Sequence, residues 1–384
     1  MEDAMAEQPS ITAATPAPVV RSEIWFEDGN VILQAENTQF KVHRGMLARN
    51  SSIFNDMFSV PQPPMPEEES VEGCVVIHLP DSAHDLEIVL RALIERGFAP
   101  SREPVSIKIV AAFLRLGRKY DFETLRTDAL HRIFYEVPAT LEDNDACMHN
   151  FQIEGHTDDG WFWINIVNLA REQSIQPVLP LALYECCRVL YENHGPSSIF
   201  KGITRADGST ALLSLEDQMI CLSSYSTLLA MQNTTTFVWL DAEDDFVSCR
   251  DGQFCPSKRS SLLRDCFFTQ TSLQGLDHWN SCVKNNLFED QQCEYCNHIS
   301  EQIHTAGRLH FWRRLPETFG LPEWQELIKE REEQVRFRLL LRTLKKLNNL
   351  AIDPVESKLA ATFFKQILFL WTYVSYIVLS GRTW

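Results

Sequence analysis

The spacing of hydrophobic positions changes several times along the chain, and each change marks an element. Ile24-Trp25-Phe26 leads into the turn dipeptide Asp28-Gly29; Val31, Leu33 and Ala35 then share one face, and Phe40 and Val42 another. Period-two spacing beside a turn predicts a β-hairpin. From Arg44 the spacing lengthens. Met46, Leu47, Ile53, Phe54, Met57 and Phe58 predict two short helices, the second capped by Ser51 or Ser52. Val60 to Gly73, rich in Pro and Glu, reads as an exposed loop. Val75 to Leu79 is a short β-branched run, a buried strand ended by Pro80. Ser82 and Asp85 resemble a capping box ahead of the stripe Leu86, Val89, Leu90, Leu93 and Ile94. Ile107, Val110, Phe113 and Leu114 form a further helical stripe, and Leu125, Ala129, Ile133 and Phe134 another.

Residues 139–160 carry Glu142, Asp143, Asp145, Asp158, Asp159 and Gly160 and read as an acidic, solvated linker. From Trp161 the pattern is mainly helical. Ser214 with Asp217 caps a helix that carries Met219, Leu222, Leu228 and Leu229. Glu323 to Asn349, with Leu327, Val335, Leu339, Leu340, Leu344 and Leu347, predicts a long amphipathic helix. After Pro354, residues 359–379 are almost wholly apolar apart from Lys365 and Gln366. That length borders on a bilayer span. A tail anchor, a buried or partner-facing helix, and an extension outside any family pattern all remain open for it.

The order hairpin, helix pair, loop, strand, successive helices carries a resemblance. Asp28, Phe40, Val42, His43, Arg44, Leu47, Ser51, Phe54, Met57 and Phe58 resemble the opening signature of BTB/POZ domains: an Asp near the first strand, an F-x-V-H-R strand end, then Leu, Ser and Phe on the following helices. The resemblance implies an α+β fold, a small sheet flanked by helices over residues 21–138, followed by a mostly helical region over 161–330. Residues 1–20 read as a disordered lead-in, and 331–384 as the amphipathic helix and hydrophobic tail. Val167 to Glu172, Asp207-Gly208-Ser209, Gly307-Arg308, Trp312 and Leu315-Pro316 look similar to a large group of fungal BTB proteins with a second region. Family members pair with themselves or with other BTB chains. Some bind cullin scaffolds as ubiquitin-ligase adaptors, with an apolar-x-Glu triplet that here would be Met65-Pro66-Glu67. Composition alone makes those residues a solvated Glu-rich loop.

Charge narrows the function. The chain has 384 residues, 45% hydrophobic and 23% charged, a globular composition, and its net charge is −17. An acidic surface repels phosphate and argues against nucleic acid. The N-terminus has no basic start and no apolar core, so it is not a secretory signal, and a cytoplasmic or nuclear chain is expected. Eleven cysteines in a reducing compartment are buried thiols or metal ligands rather than a disulfide framework.

No phosphate loop, dinucleotide fingerprint, G-x-S-x-G elbow or H-E-x-x-H motif is present, so no catalytic residue is assigned. His43 beside Arg44 reads as a structural histidine bonded to backbone. The strongest chemical signal lies between residues 249 and 296. Cys293-x-x-Cys296 suits two thiolates gripping one tetrahedral ion, and Cys249-x5-Cys255 offers a second pair. Cys266, Cys282 and His298 are spare ligands. The competing reading is free thiols serving as core filler. Three functions follow: a non-enzymatic interaction protein recognising a client, a transcription-linked BTB regulator, or a metal-dependent enzyme. Asp241, Glu243, Asp244, Asp245, Glu289 and Asp290 count against the second, and a closed four-cysteine site against the third.

Overall fold

The computed structural model describes residues 18–60, 70–100, 103–147, 151–155, 160–195, 197–205, 208–241, 246–264, 272–280 and 292–335. Met65, Glu67, Asp207, Cys266, Cys282 and the apolar run 359–379 lie outside them. The chain divides into two units, Met1–Pro322 and Glu323–Trp384. In the second unit the described residues are helical from 324 to 335, the start of the predicted amphipathic helix. Among the described residues no helix is long and apolar enough to cross a membrane.

The first unit opens with β1 (Val20–Trp25), β2 (Val31–Ala35) and β3 (Thr38–Val42), followed by α1 (Arg44–Asn50) and α2 (Ser52–Ser59). Next come β4 (Ser70–Val71), β5 (Cys74–Leu79), α3 (Ala83–Ile94), α4 (Ile107–Tyr120) and α5 (Glu123–Glu136). The sheet order is β1-β3-β2-β5-β4. The hairpin is β2 with β3, antiparallel, with Val31 opposite Val42. It turns at Glu36, which takes a positive φ of 49°. β1 instead runs parallel to β3, so Asp28-Gly29 is a connection to the sheet's edge and not the hairpin turn.

Alternation also understated how deep β2 sits. Val31, Ile32 and Leu33 are all fully buried, because β2 lies between two strands and helices cover the sheet. Beside it Lys41 is buried too, its Nζ satisfied by the Glu27 carbonyl at 2.9 Å and Glu72 at 3.0 Å. β5, expected to be buried, is half-exposed over Val75 to Ile77 and open at His78: β2 covers its inner side, but among the described residues only the two-residue β4 flanks its outer side.

Caps fall where the sequence places them. Ser51 Oγ accepts from Phe54 N at 3.0 Å and donates to the Tyr120 carbonyl, tying the start of α2 to the end of α4. Ser82 Oγ accepts from Asp85 N at the start of α3. Phe54 stacks on Tyr120 at 5.0 Å and lies against Phe122, making an aromatic core under the signature residues.

The stretch 139–160 departs from the expected solvated linker. Its described part contains α6 (Leu141–Ala146), with Leu141 buried. Ile153 is buried and pairs with Val105 in a parallel bridge. Arg132 of α5, itself buried, donates to the carbonyls of Pro100, Glu103 and Gln152. Glu136 accepts from the backbone N–H groups of Gln152 and Ile153. Counting carboxylates could not reveal these ties, because their partners lie elsewhere in the chain.

Burial pushes the Glu136 carboxyl up to about 7, outweighing its two backbone donors. A carboxyl with a raised folded pKa takes up protons on folding. Its contribution is therefore greatest below the ordinary value of 4.5 and is lost as pH rises to about 7. Glu136→Gln is expected to flatten the fall in stability over that window by at most about 3 kcal/mol. Denaturant melts at several pH values check this, and an unchanged slope contradicts it.

The helical region follows with α7 (Trp161–Gln173), α8 (Leu179–His194), the short α9 (Ser198–Lys201), the hairpin β6 (Ile203–Thr204) and β7 (Thr210–Ala211), and α10 (Leu215–Thr234). α7 lies against α4: Arg115 grips Glu172 through both carboxylate oxygens, Nε to Oε1 at 2.7 Å and Nη2 to Oε2 at 2.8 Å. Arg118 donates to the Gln173 carbonyl at 3.2 Å. Ser214 caps α10 through Asp217 N, and the buried Asp217 takes Arg171 of α7 at 2.7 Å. The last elements of this unit are α11 (Phe254–Leu263) and the long α12 (Glu294–Thr318).

Candidate metal centre

The four cysteines predicted as ligands converge. The Sγ atoms of Cys249, Cys255, Cys293 and Cys296 all lie within 4.8 Å of one another. Four thiolates held about 2.3 Å from a tetrahedral zinc stand roughly 3.8 Å apart. An ion at the centre therefore needs only a small contraction of the cluster.

Two similar local structures place the ligands. In each, a cysteine ahead of a helix is followed by a cysteine in the first turn of that helix. Cys255 opens α11, where Asp251 Oδ1 accepts Phe254 N at 3.1 Å, and Cys296 lies in the first turn of α12, with Cys293 at its N-cap. Helix starts present unpaired N–H groups and a positive dipole end, which favour thiolate. Cys293 N donates to Cys255 Sγ at 3.2 Å, linking the two halves. Backbone donation from Cys296, aided by Arg250, draws the Cys293 thiol down to about 7. Burial raises Cys255 and Cys296.

The surroundings are apolar and small. Phe246, Cys255 and Cys296 form one buried cluster, with Tyr295, Ile299 and Ile303 packed beside it. Arg259, buried one turn beyond Cys255, lays its guanidinium 3.7 Å from the Phe246 ring centroid. His298 is exposed and faces Gln302, so it does not join the ligands. The other described thiols, Cys74, Cys147, Cys186, Cys187 and Cys221, are free and lie outside the cluster.

From the cysteine cluster α12 runs into a second core. His304, with no exposure, bonds the Asp277 carbonyl at 2.9 Å between the rings of Phe237 and Trp279; burial draws its pKa down to about 4, so it is neutral. Arg308, also buried, donates to the Leu276 carbonyl and grips both oxygens of Asp145 on α6 at 2.6 and 3.1 Å. Gly307 lies so close to the Thr235 carbonyl that a Cβ would stand 2.2 Å from it. Sequence reading singled out Gly307-Arg308 only by resemblance, and it missed His304 as a core residue and Asp145 as a partner. A lone acidic residue in an acidic stretch carries no signal of a buried mate.

Of the signature positions, Phe40, Leu47, Ser51 and Phe54 are buried as core and cap residues. Phe58 lies against Phe54 and under Arg44. His43 does not bond backbone through its ring. Nε2 stands 3.4 Å from Asp28 Oδ1 and the ring packs on Phe26, while its carbonyl accepts Met46 N. Asp28 and His43 thus close the connection between the first two strands.

The amino-acid sequence matches the BTB/POZ domain family model over residues 26–132, which hold β2 to β5 and α1 to α4 with most of α5. Those residues carry a BTB/POZ domain, and domains of this family are protein–protein interaction modules. No curated protein and no solved structure matches the chain.

Proposed function

We propose that the chain is a non-enzymatic adaptor that pairs through its BTB/POZ domain, with itself or another BTB chain, while the helical region recognises a client protein. The BTB match over residues 26–132 carries this reading. The convergent cysteines support a structural zinc in the helical region: four soft thiolates suit zinc in a reducing compartment and leave no open position for water or substrate. A closed site argues for a scaffold and against metal-dependent catalysis. Pairing doubles the client sites on one particle and raises effective concentration without any new contact.

The same reading extends to a cullin scaffold, engaged through Met65 and Glu67. Light scattering of the full chain tests the pairing, and co-elution with a purified cullin N-terminal region tests the adaptor role. A dimer at micromolar concentration that binds the scaffold, and loses it on Met65→Ala with Glu67→Ala, is expected. A chain that is monomeric at every concentration contradicts self-pairing, and a dimer that ignores the scaffold removes the cullin role.

A further inference from the structure

We propose that filling the cysteine site and seating the BTB-following helix α6 are energetically coupled through α12, an inference that rests on the metal reading above. One continuous helix joins the two places. Cys293 and Cys296 begin α12, and Arg308 follows Cys296 by twelve positions. That separation is about 18 Å along a helix axis. The buried face runs unbroken between them through Cys296, Ser300, His304, Gly307 and Arg308. A helix seated along its whole length shifts as a unit, because close-packed contacts are bistable rather than continuously deformable.

The far end of that face is all-or-none. The Arg308 guanidinium satisfies Leu276 O twice, at 3.0 and 2.8 Å, and both oxygens of Asp145. A buried charge is tolerated only while such a set is complete. Among the described residues the near end has no buried charge network of this kind: it is held by the small Phe246 cluster, by Cys293 N on Cys255 Sγ at 3.2 Å and by Ser300 on Gln292 at 3.3 Å. Ligation therefore fixes the end of α12 that begins at the cysteines, and Arg308 transmits that position to α6. Because α6 follows α5 directly in the chain, metal occupancy sets how firmly the junction after the BTB domain is held.

Linkage makes the coupling reciprocal: whatever metal contributes to seating Asp145, Asp145 returns to metal affinity. The test uses the full chain, zinc, and a competing chelator of known affinity. Asp145→Asn, which keeps the side-chain shape, and Arg308→Met are each expected to weaken zinc binding about tenfold. Removing zinc from the unaltered chain is expected to speed amide hydrogen exchange at 141–146 and 274–278 as well as beside the ligands. Zinc affinity within twofold of the unaltered chain for Asp145→Asn, with faster exchange confined to 249–255 and 293–299, overturns the coupling and leaves the zinc site standing. An unaltered chain that takes up no zinc overturns the site and the coupling together.

Discussion

Replacing Cys296 with serine is expected to abolish metal binding and lower the melting temperature of the helical region by about 10–20 °C. Cys296 is fully buried in the first turn of α12, and its sulfur is one of four that converge. Serine offers a harder, weakly acidic oxygen and leaves three thiolates facing one another without a cation. Structural zinc contributes about 10 kcal/mol or more in isolated fingers. Here the Phe237, Trp239 and Trp279 cluster and the Arg308 contacts hold part of the region without metal. A loss of about half that scale, about 5 kcal/mol, gives the stated shift for a region of this size. Differential scanning fluorimetry beside elemental analysis reads both effects. Cys147→Ser is the control. That thiol bonds the Tyr135 carbonyl away from the cluster, and its replacement leaves metal content unchanged. Equal melting temperatures for Cys296→Ser and the parent chain contradict the stapling role.

The second large effect belongs to Gly307→Ala. Its Cβ would stand 2.2 Å from Thr235 O, 2.6 Å from Thr235 C and 2.7 Å from Thr236 Cα, all backbone atoms that no rotamer change can move. Thr236 is itself held by its hydroxyl on the Gly275 carbonyl at 2.7 Å. Alanine gains about 1 kcal/mol of helix propensity in a helix interior. Separating α12 from the Thr235 backbone costs more, about 3 kcal/mol at the upper end for overpacking, and lifts His304 and Arg308 from their carbonyls. The net expectation is destabilisation by about 2 kcal/mol. Gly45→Ala in α1 is the comparison, since nothing lies within 4 Å of its Cβ. It should be neutral or stabilising by a few tenths of a kcal/mol. Denaturant melts separate the two, and a neutral Gly307→Ala would mean that α12 does not pack on Thr235 as described.

What the sequence made legible follows from the range of each interaction. Caps at Ser51, Ser82 and Ser214 were readable because donor and acceptor lie three residues apart. The BTB fold was readable because its signature is local and ordered, from Asp28 to Phe58. The Cys293 and Cys296 pair was readable because a single helix start sets the geometry. Its union with Cys249 and Cys255 was only a spacing argument until two helix starts were brought face to face.

Other features were hidden for physical reasons. Alternation in β2 concealed a strand buried on both faces, since polar Gln34, itself half-buried, accepts from Gln39 across the hairpin. The acidic stretch 139–160 looked solvated because Asp145 meets its partner 163 residues away. Glu136 carries no sequence signal of burial, yet it holds two backbone N–H groups in the interior.

Native mass spectrometry of the full chain tests the central claim most directly, because one spectrum counts both chains and bound ions. The account predicts a dimer carrying two zinc ions, one for each four-cysteine site, with both lost in the Cys296→Ser dimer. A metal-free monomer would contradict it.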